Sequence, residues 1–318
     1  MLNAALSAPL AAPPVAPRAP QVKLLADGRR LHLNDGPIDL VLEASGDPRQ
    51  VAAAYRAAVA RLTGLLDDLC AELPLLRRPA YAGACPLDGK VARRMWAAVE
   101  PHARAGFITP MAAVAGAVAE EVLEALALPG ITRAYVNNGG DIALHLAPGA
   151  DYVAGLVDRP DRPSLIGTAR VGAESPVRGI ATSGWRGRSF SLGIADAVTV
   201  LAPTAAAADA AATIIANAVN LPGHPGIVRM AAREVQSDSD LGPLKVTRAV
   251  PQLSPAEVHE ALAEGLACAS ALVGRGLISS AALHLQGVSV STDPAEGTFP
   301  GRSVLSLARP HESEAAHA

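Results

Sequence analysis

The segment Thr204–Val219 limits the fold of this chain more than any other. It is rich in Ala and holds neither Gly nor Pro, so it reads as a helix. Just before it, Asp196–Leu201 is apolar and β-branched, a buried strand. Earlier still, Gly179–Gly184 is a short apolar run that stops at the polar turn Thr182-Ser183-Gly184. On the helix, Asp209 and Thr213 lie four residues apart. That spacing puts a carboxylate and a hydroxyl on one face, a turn apart. Oxygen ligands of this type suit a hard cation such as Mg²⁺. The plainer alternative is a Thr bonded back to its own helix and a solvated Asp.

A chain of 318 residues can bury a full core, in one large domain or two lobes. Half of its residues are hydrophobic but only 3% are aromatic, so Ala, Leu, Val and Ile must build that core. The net charge is −3 with no long basic run, which argues against nucleic acid as a main partner. Cys70, Cys85 and Cys268 include no C-x-x-C pair, which favours a reducing compartment over a disulfide scaffold. No apolar run reaches membrane-spanning length. The Ala- and Pro-rich start lacks the features of a signal peptide. Residues 1–20 and 311–318 read as disordered tails around a domain at 21–310, and the expected location is the cytoplasm.

Along the chain, Asp27-Gly28 between two alternating runs predicts a hairpin of Gln21–Leu25 with Arg29–Leu33. Ile38–Glu43 follows as a strand. Asp47, Pro48 and Gln50 are placed as N-cap, first helical residue and capping-box partner of a long helix. Its apolar face is predicted to run from Tyr55 to Leu73. Gly89–Ala103 reads as a short amphipathic helix. The small residues of Met111–Ala119 let a backbone or ligand come close, and that helix stops at Pro129-Gly130. Strands at Ile131–Val136 and Ile142–Leu146 flank Asn137-Asn138-Gly139-Gly140-Asp141. This turn is either a plain hairpin or a cradle whose free N–H groups hold an anion. Tyr152–Val157 and Leu165–Val171 are strands, and Leu221–Val250 has no clear pattern. Ser254-Pro255-Ala256-Glu257 starts a helix to about Gly274. Ala281–Leu285 and Val288–Val290 form a late hairpin. Strands and helices do not alternate strictly, so the predicted class is α+β with mainly antiparallel sheets and flanking helices.

Five segments in this order carry a family likeness: Pro110–Ala117 (PMAAVAGA), Asn138–Ile142 (NGGDI), Thr182–Gly184 (TSG), Leu192–Ala197 (LGIADA) and Asp209–Thr213 (DAAAT). Together they resemble the ApbE family, the FAD:protein FMN transferases, and more closely its UPF0280 subgroup. The likeness runs from about Gln21 to about Gly287. It implies a two-lobed fold around a flavin-nucleotide site, with Mg²⁺ bridging the FAD pyrophosphate. By the same resemblance, Asp209, Thr213 and a backbone carbonyl in the small-residue run, near Ala115 or Gly116, hold the metal. Asn138, Gly139, Gly140 and Asp141 lie along the flavin nucleotide, and Thr182, Ser183 and Gly184 line the same cleft.

One departure stands out. The family's His-x-x-Asp-Pro-x-x-Gly segment, between the TSG turn and the next strand, is absent. Trp185–Ala195 holds no His but carries Arg186 and Arg188. These arginines are either phosphate contacts or members of a solvated loop, and neither can act as a base. Arg188 is kept as a candidate cofactor contact. Asp196 and Asp209 are the candidate catalytic carboxylates, Asp196 being equally a strand-edge residue that bonds a backbone N–H.

The resemblance thus implies Mg²⁺-dependent chemistry on FAD or FMN, with FMN transfer to a protein acceptor as its specific form. Two alternatives stay open: a flavin- or nucleotide-binding protein without transfer, or an enzyme with another substrate, such as one in pterin-dependent one-carbon cofactor synthesis. A homo-oligomer is left open. No nucleic acid or membrane partner is expected.

Overall fold

The structure is a computed structural model and describes residues 19–159, 161–293 and 304–307. The two tails expected to be disordered, apart from residues 19 and 20, lie outside the described residues.

Strands β1 (Gln21–Leu24), β2 (Leu31–Asp35) and β3 (Ile38–Gly46) form an antiparallel meander. The first turn is made by Gly28, at φ +68°, and by Asp27, whose carboxylate accepts the Arg29 and Arg30 amides at 2.9 and 3.0 Å. Helix α1 (Pro48–Leu62) starts as the sequence predicts, with the Asp47 carboxylate accepting the Arg49 and Gln50 amides. The Asp47 amide is taken by the Gly130 carbonyl at 3.1 Å, so Gln50 is not needed as a capping-box partner.

The long apolar face does not belong to one helix. The chain breaks at Thr63-Gly64, and α2 (Leu65–Ala71) and α3 (Leu73–Leu76) follow as separate short turns. Gly64 sits at φ +82°, a left-handed conformation that ends the hydrogen-bond ladder. Helix α4 (Lys90–Val99) buries Met95, Trp96 and Val99. Helix α5 (Val114–Leu126) is entered through a 3₁₀ turn at Pro110–Ala113.

Next come β4 (Ile131–Asn138) and β5 (Asp141–Leu146), then β6 (Asp151–Val157) and β7 (Leu165–Gly172). Strands β8 (Gly179–Ser183) and β9 (Ala197–Ala202) lead into α6 (Ala205–Ala218). The unpatterned region holds a small ladder, β10 (Val228–Ala231) with β11 (Lys245–Ala249), around the single turn α7 (Ala232–Val235). Helix α8 (Pro255–Gly274) opens with a complete capping box between Ser254 and Glu257. The described chain ends with β12 (Ser280–Leu285), β13 (Val288–Ser291) and β14 (Val304–Leu307).

Nine strands form one sheet in the order β1-β2-β3-β4-β5-β8-β9-β12-β13, antiparallel throughout. A second sheet, β14-β7-β6, packs on the other side from the helices and shares a core with Leu144, Ile180 and Leu201 of the large sheet. The fold class is α+β, as the strand pattern predicts.

Two apolar cores lie on the helical face. One is built from β2–β5 with α1, α4 and α5, the other from β8, β9 and β12 with α8. Helix α6 stands between them: Ala206 and Ala210 face the first core, while Ala208, Ala212 and Ile215 face the second. An Ala-rich helix suits that place, because both cores press on it and long side chains would hold them apart.

Candidate functional site

The site is built where α5 and α6 meet the β4–β5 turn. A methyl group placed on Gly116 would lie 2.3 Å from the Ala205 carbonyl oxygen, so these two helix starts touch backbone to backbone. The small-residue run thus admits a neighbouring helix. Each helix satisfies the exposed amides of the other. The Asp209 carboxylate of α6 accepts the Gly116 amide at 3.0 Å and also bonds the Ala115 amide, in the first turn of α5. The Glu120 carboxylate of α5 accepts the Ala206 amide at 2.7 Å, in the first turn of α6. Ala113, at the α5 N-cap, supplies no side-chain bond of its own.

Strand alternation brings Asp141 to the same place. In β4 and β5, Val136, Asn138, Asp141 and Ala143 point to the helical face, while Leu144 and Leu146 point to the small sheet. Asn138 donates its side-chain amide to the Ala115 carbonyl at 3.1 Å. Asp141 accepts the Thr182 amide at 3.2 Å. Asp141 and Asp209 are close enough that each charge disfavours the other.

Burial pushes Asp141 up to about 7, although the Thr182 amide favours its charged form. Burial and then the Asp141 charge push Asp209 well above the usual carboxylate range, against the pull of the Gly116 and Ala115 amides. The Thr213 hydroxyl, one turn on, has no hydrogen-bond partner among the described residues. It does not bond back to its own helix.

The Gly-Gly turn closes β4 and β5 as a two-residue hairpin, with Gly139 at φ +66° and Gly140 at φ +116°. Its amides are not all free, since Gly140 donates to the Asn137 side chain at 2.8 Å. The space beside Gly140 is open: nothing lies within 4 Å of where a methyl group would sit. Over Gly139 stands Arg188, with Nη1 3.3 Å from the equivalent point. Arg188 is exposed, and among the described residues its guanidinium has no partner.

The structure divides the remaining candidates. Thr182 turns its hydroxyl to the opposite face of the sheet, where it pairs with Thr199 at 2.9 Å, so only its amide reaches Asp141. Ser183 lies opposite Val198, on the helical face. Gly184 packs on the Asp196 backbone, with 2.4 Å between its would-be methyl and the Asp196 oxygen. The loop after Gly184 is fixed to the end of α6 by Asn217, which accepts the Leu192 amide at 2.8 Å.

Asp196 is buried and makes three bonds. It accepts Trp185 Nε1 at 3.1 Å and Arg186 Nε at 2.7 Å on one oxygen, and the Gln286 amide at 2.7 Å on the other. Gln286 occupies the left-handed region at φ +44°, in the β12–β13 turn, and the Asp196 bond helps to hold it there. None of these bonds runs to Asp141 or Asp209. The structure thus brings Ala115, Asn138, Asp141 and Asp209 together, with Thr213 one turn beyond Asp209 on α6, and sets Asp196 in a separate network.

A family profile described as AbpE bacteria matches residues 22–292. The chain belongs to that family. Among curated relatives, a UPF0280 protein of Methanosarcina acetivorans is 33% identical over 184 residues, which cover 57% of this chain and 70% of the relative. A UPF0280 protein of Methanocella arvoryzae is 34% identical over 169 residues, covering 50% of this chain and 63% of the relative. Because that last share is below two thirds, the match spans only part of the relative's length. Of solved structures, the apo flavinyl transferase ApbE of Pseudomonas stutzeri overlays with a TM-score of 0.42 at 14% identity, covering 86% of this chain and 95% of that one. A variant flavin transferase ApbE of Vibrio cholerae overlays at 0.36, also at 14% identity, covering 58% and 85%.

Among the described residues, no cluster of three or more His, Cys, Asp or Glu could hold a metal alone, and no helix is long and apolar enough to cross a membrane. A cation at this site would need Thr213 and the Ala115 carbonyl beside the two carboxylates. Asp141 joins that set on structural grounds. Its sequence signal was the alternation that puts it on the same strand face as Ala143, but nothing in the sequence says which helix covers that face.

Proposed function

We propose that the chain binds a flavin nucleotide of the FAD class beside a Mg²⁺ ion, where α5 and α6 meet the β4–β5 turn, and that this site performs nucleotide chemistry with FMN transfer as its specific form. The observation that carries this reading is the pair of mutually repelling carboxylates, Asp141 and Asp209, with the Thr213 hydroxyl, unpartnered among the described residues, one turn beyond Asp209. Two acidic groups held together in a buried site disfavour their own ionisation, and a divalent cation removes that penalty. The donors are all oxygens, as a hard cation requires. The Ala115 carbonyl, in the first turn of α5, is fixed by Asn138 and stands beside Asp209. The residues present therefore fit the ion.

In this reading Asp209, Asp141, Thr213 and the Ala115 carbonyl hold the cation. Bound there, Mg²⁺ would stabilise the negative charge that develops on phosphoryl oxygens. The chain's own contribution is positioning. The α5 start orients Asp209 through two amides. Asn138 fixes the Ala115 carbonyl. The bare edge of Gly140 leaves room for a nucleotide, and Arg188 offers an unpaired guanidinium above the turn for a phosphate.

The second reading is a protein that binds the nucleotide without transferring it. One observation favours it: the loop from Trp185 to Ala195 contains no His, and its Arg186 is already paired with Asp196.

Asp209→Asn is the sharper test variant, because Asn keeps an oxygen acceptor for the α5 amides while losing the charge. Mg²⁺-dependent quenching of FAD fluorescence should be lost in the variant and retained in the parent. Equal quenching in both would defeat the metal assignment. AMP release from FAD with a Thr-containing acceptor decides between transfer and binding alone.

A further inference from the structure

The small sheet and the β12–β13 end of the large sheet enclose a cavity of about 580 Å³. It lies within the size range of small-molecule sites. His284, on β12, lines it and is only 7% exposed. Its Nδ1 is 2.8 Å from the Ser289 hydroxyl across the hairpin. Its Nε2 has no partner among the described residues. Burial lowers the His284 pKa, against the raising influence of Asp196 and then Asp158, so the ring is neutral at physiological pH.

The charges around the cavity are already committed. Arg159 holds both oxygens of Asp161, at 2.8 and 2.5 Å. Arg186 gives Nε to Asp196 and lies over the Trp185 ring at 4.3 Å, and among the described residues its two terminal nitrogens have no hydrogen-bond partner. Asp158 accepts both the amide and the hydroxyl of Ser164. Two cations, Arg159 and Arg186, stand against two carboxylates, Asp158 and Asp196, in the lining, and Arg159 is further held by Asp161 outside it, so the walls carry no net positive charge to draw an anion. What remains open among the described residues is hydrogen-bonding capacity at His284 Nε2, at the ends of Arg186 and on the Gln252 side chain.

We propose that this cavity binds a neutral, hydroxyl-rich ligand, a sugar or polyol, with one hydroxyl on His284 Nε2 and an oxygen on the free nitrogens of Arg186. A hydroxyl both donates and accepts, so it satisfies the ring in whichever tautomer the Ser289 hydroxyl sets. The site stands independently of the flavin reading, and it uses none of the residues near Asp209.

The test is an NMR titration of the His284 ring with D-ribose and, in parallel, with D-ribose 5-phosphate. Ribose should shift the His284 resonances saturably, with a dissociation constant of roughly 1–10 mM. The phosphate ester should bind no more tightly than ribose. His284→Gln should abolish ribose binding, and Arg186→Lys, which keeps the charge beside Asp196 but loses the fork, should weaken it about tenfold. The wild-type titration is decisive even if a variant fails to fold. The proposal is overturned by the absence of a saturable His284 shift, by unchanged affinity in folded His284→Gln, or by a phosphate ester that binds tenfold more tightly than ribose.

Discussion

Two acidic centres in this chain treat charge in opposite ways. Around Asp196, negative charge is matched by the Arg186 guanidinium, the Trp185 ring N–H and the Gln286 amide. Around Asp209, a carboxylate is set beside a second carboxylate, and among the described residues backbone amides alone offset them. Asp196 is buried and Asp209 half-buried, yet it is the compensation that separates the two centres. A matched centre holds structure together. An unmatched one carries a standing cost that a bound cation would remove, and such costs cluster where proteins bind and react.

The largest effect expected from that contrast is at the matched centre. Asp196→Ala strands the Arg186 cation and releases the strained Gln286 turn, and should cost about 3 kcal/mol, read as a lower midpoint in urea unfolding.

Asp141→Asn should do the reverse. The folded-state pKa of Asp141 is raised to about 7 from an ordinary carboxylate value. Between those values the folded state holds a proton that the unfolded state has given up, so the wild type loses stability as pH climbs toward 7. The Asn variant escapes that loss. Without metal it should match the wild type near pH 4 and become increasingly more stable than it up to pH 8. Millimolar Mg²⁺ should close the gap by stabilising the wild type alone. A gap that does not change with pH would remove the contrast between the two centres.

Smaller effects sharpen it further. Thr213→Val should reduce Mg²⁺ affinity about tenfold, a change near 1.4 kcal/mol, with little effect on thermal stability because the hydroxyl has no hydrogen-bond partner among the described residues. Gly139→Ala forces a side chain into φ +66°, crowding Arg188, and should cost about 1 kcal/mol while weakening nucleotide binding only slightly.

Local signals carried much of the fold. The α1 start, the α8 capping box, the Asp27-Gly28 turn and the Gly139-Gly140 hairpin are each written in neighbouring residues, and the structure forms all four. What failed was continuity and pairing. The apolar spacing from Tyr55 to Leu73 runs on past Gly64, although the backbone does not, because periodicity records burial and not the ladder. The β10–β11 ladder has too little alternation to be seen. That β6 and β7 leave the main sheet depends on β14, more than a hundred residues later.

The site divides in the same way. Asp209 and Thr213 share a face by spacing alone. The approach of Asp141 and the capping of α5 by Asp209 join segments far apart in the chain, and no local pattern announces them. His284 and Ser289 meet across an ordinary hairpin that carries no motif.

The exchange of bonds between α5 and α6 has a consequence for how the molecule is made. Helix α5 has no cap of its own and waits for a carboxylate 93 positions further along the chain. Its opening turn can therefore be secured only after the second half of the chain has docked, a long-range closure of the kind that slows folding. A newly synthesised chain that stops before Asp209 would hold a frayed α5 and no assembled pocket, so this protein should reach its working form late and all at once.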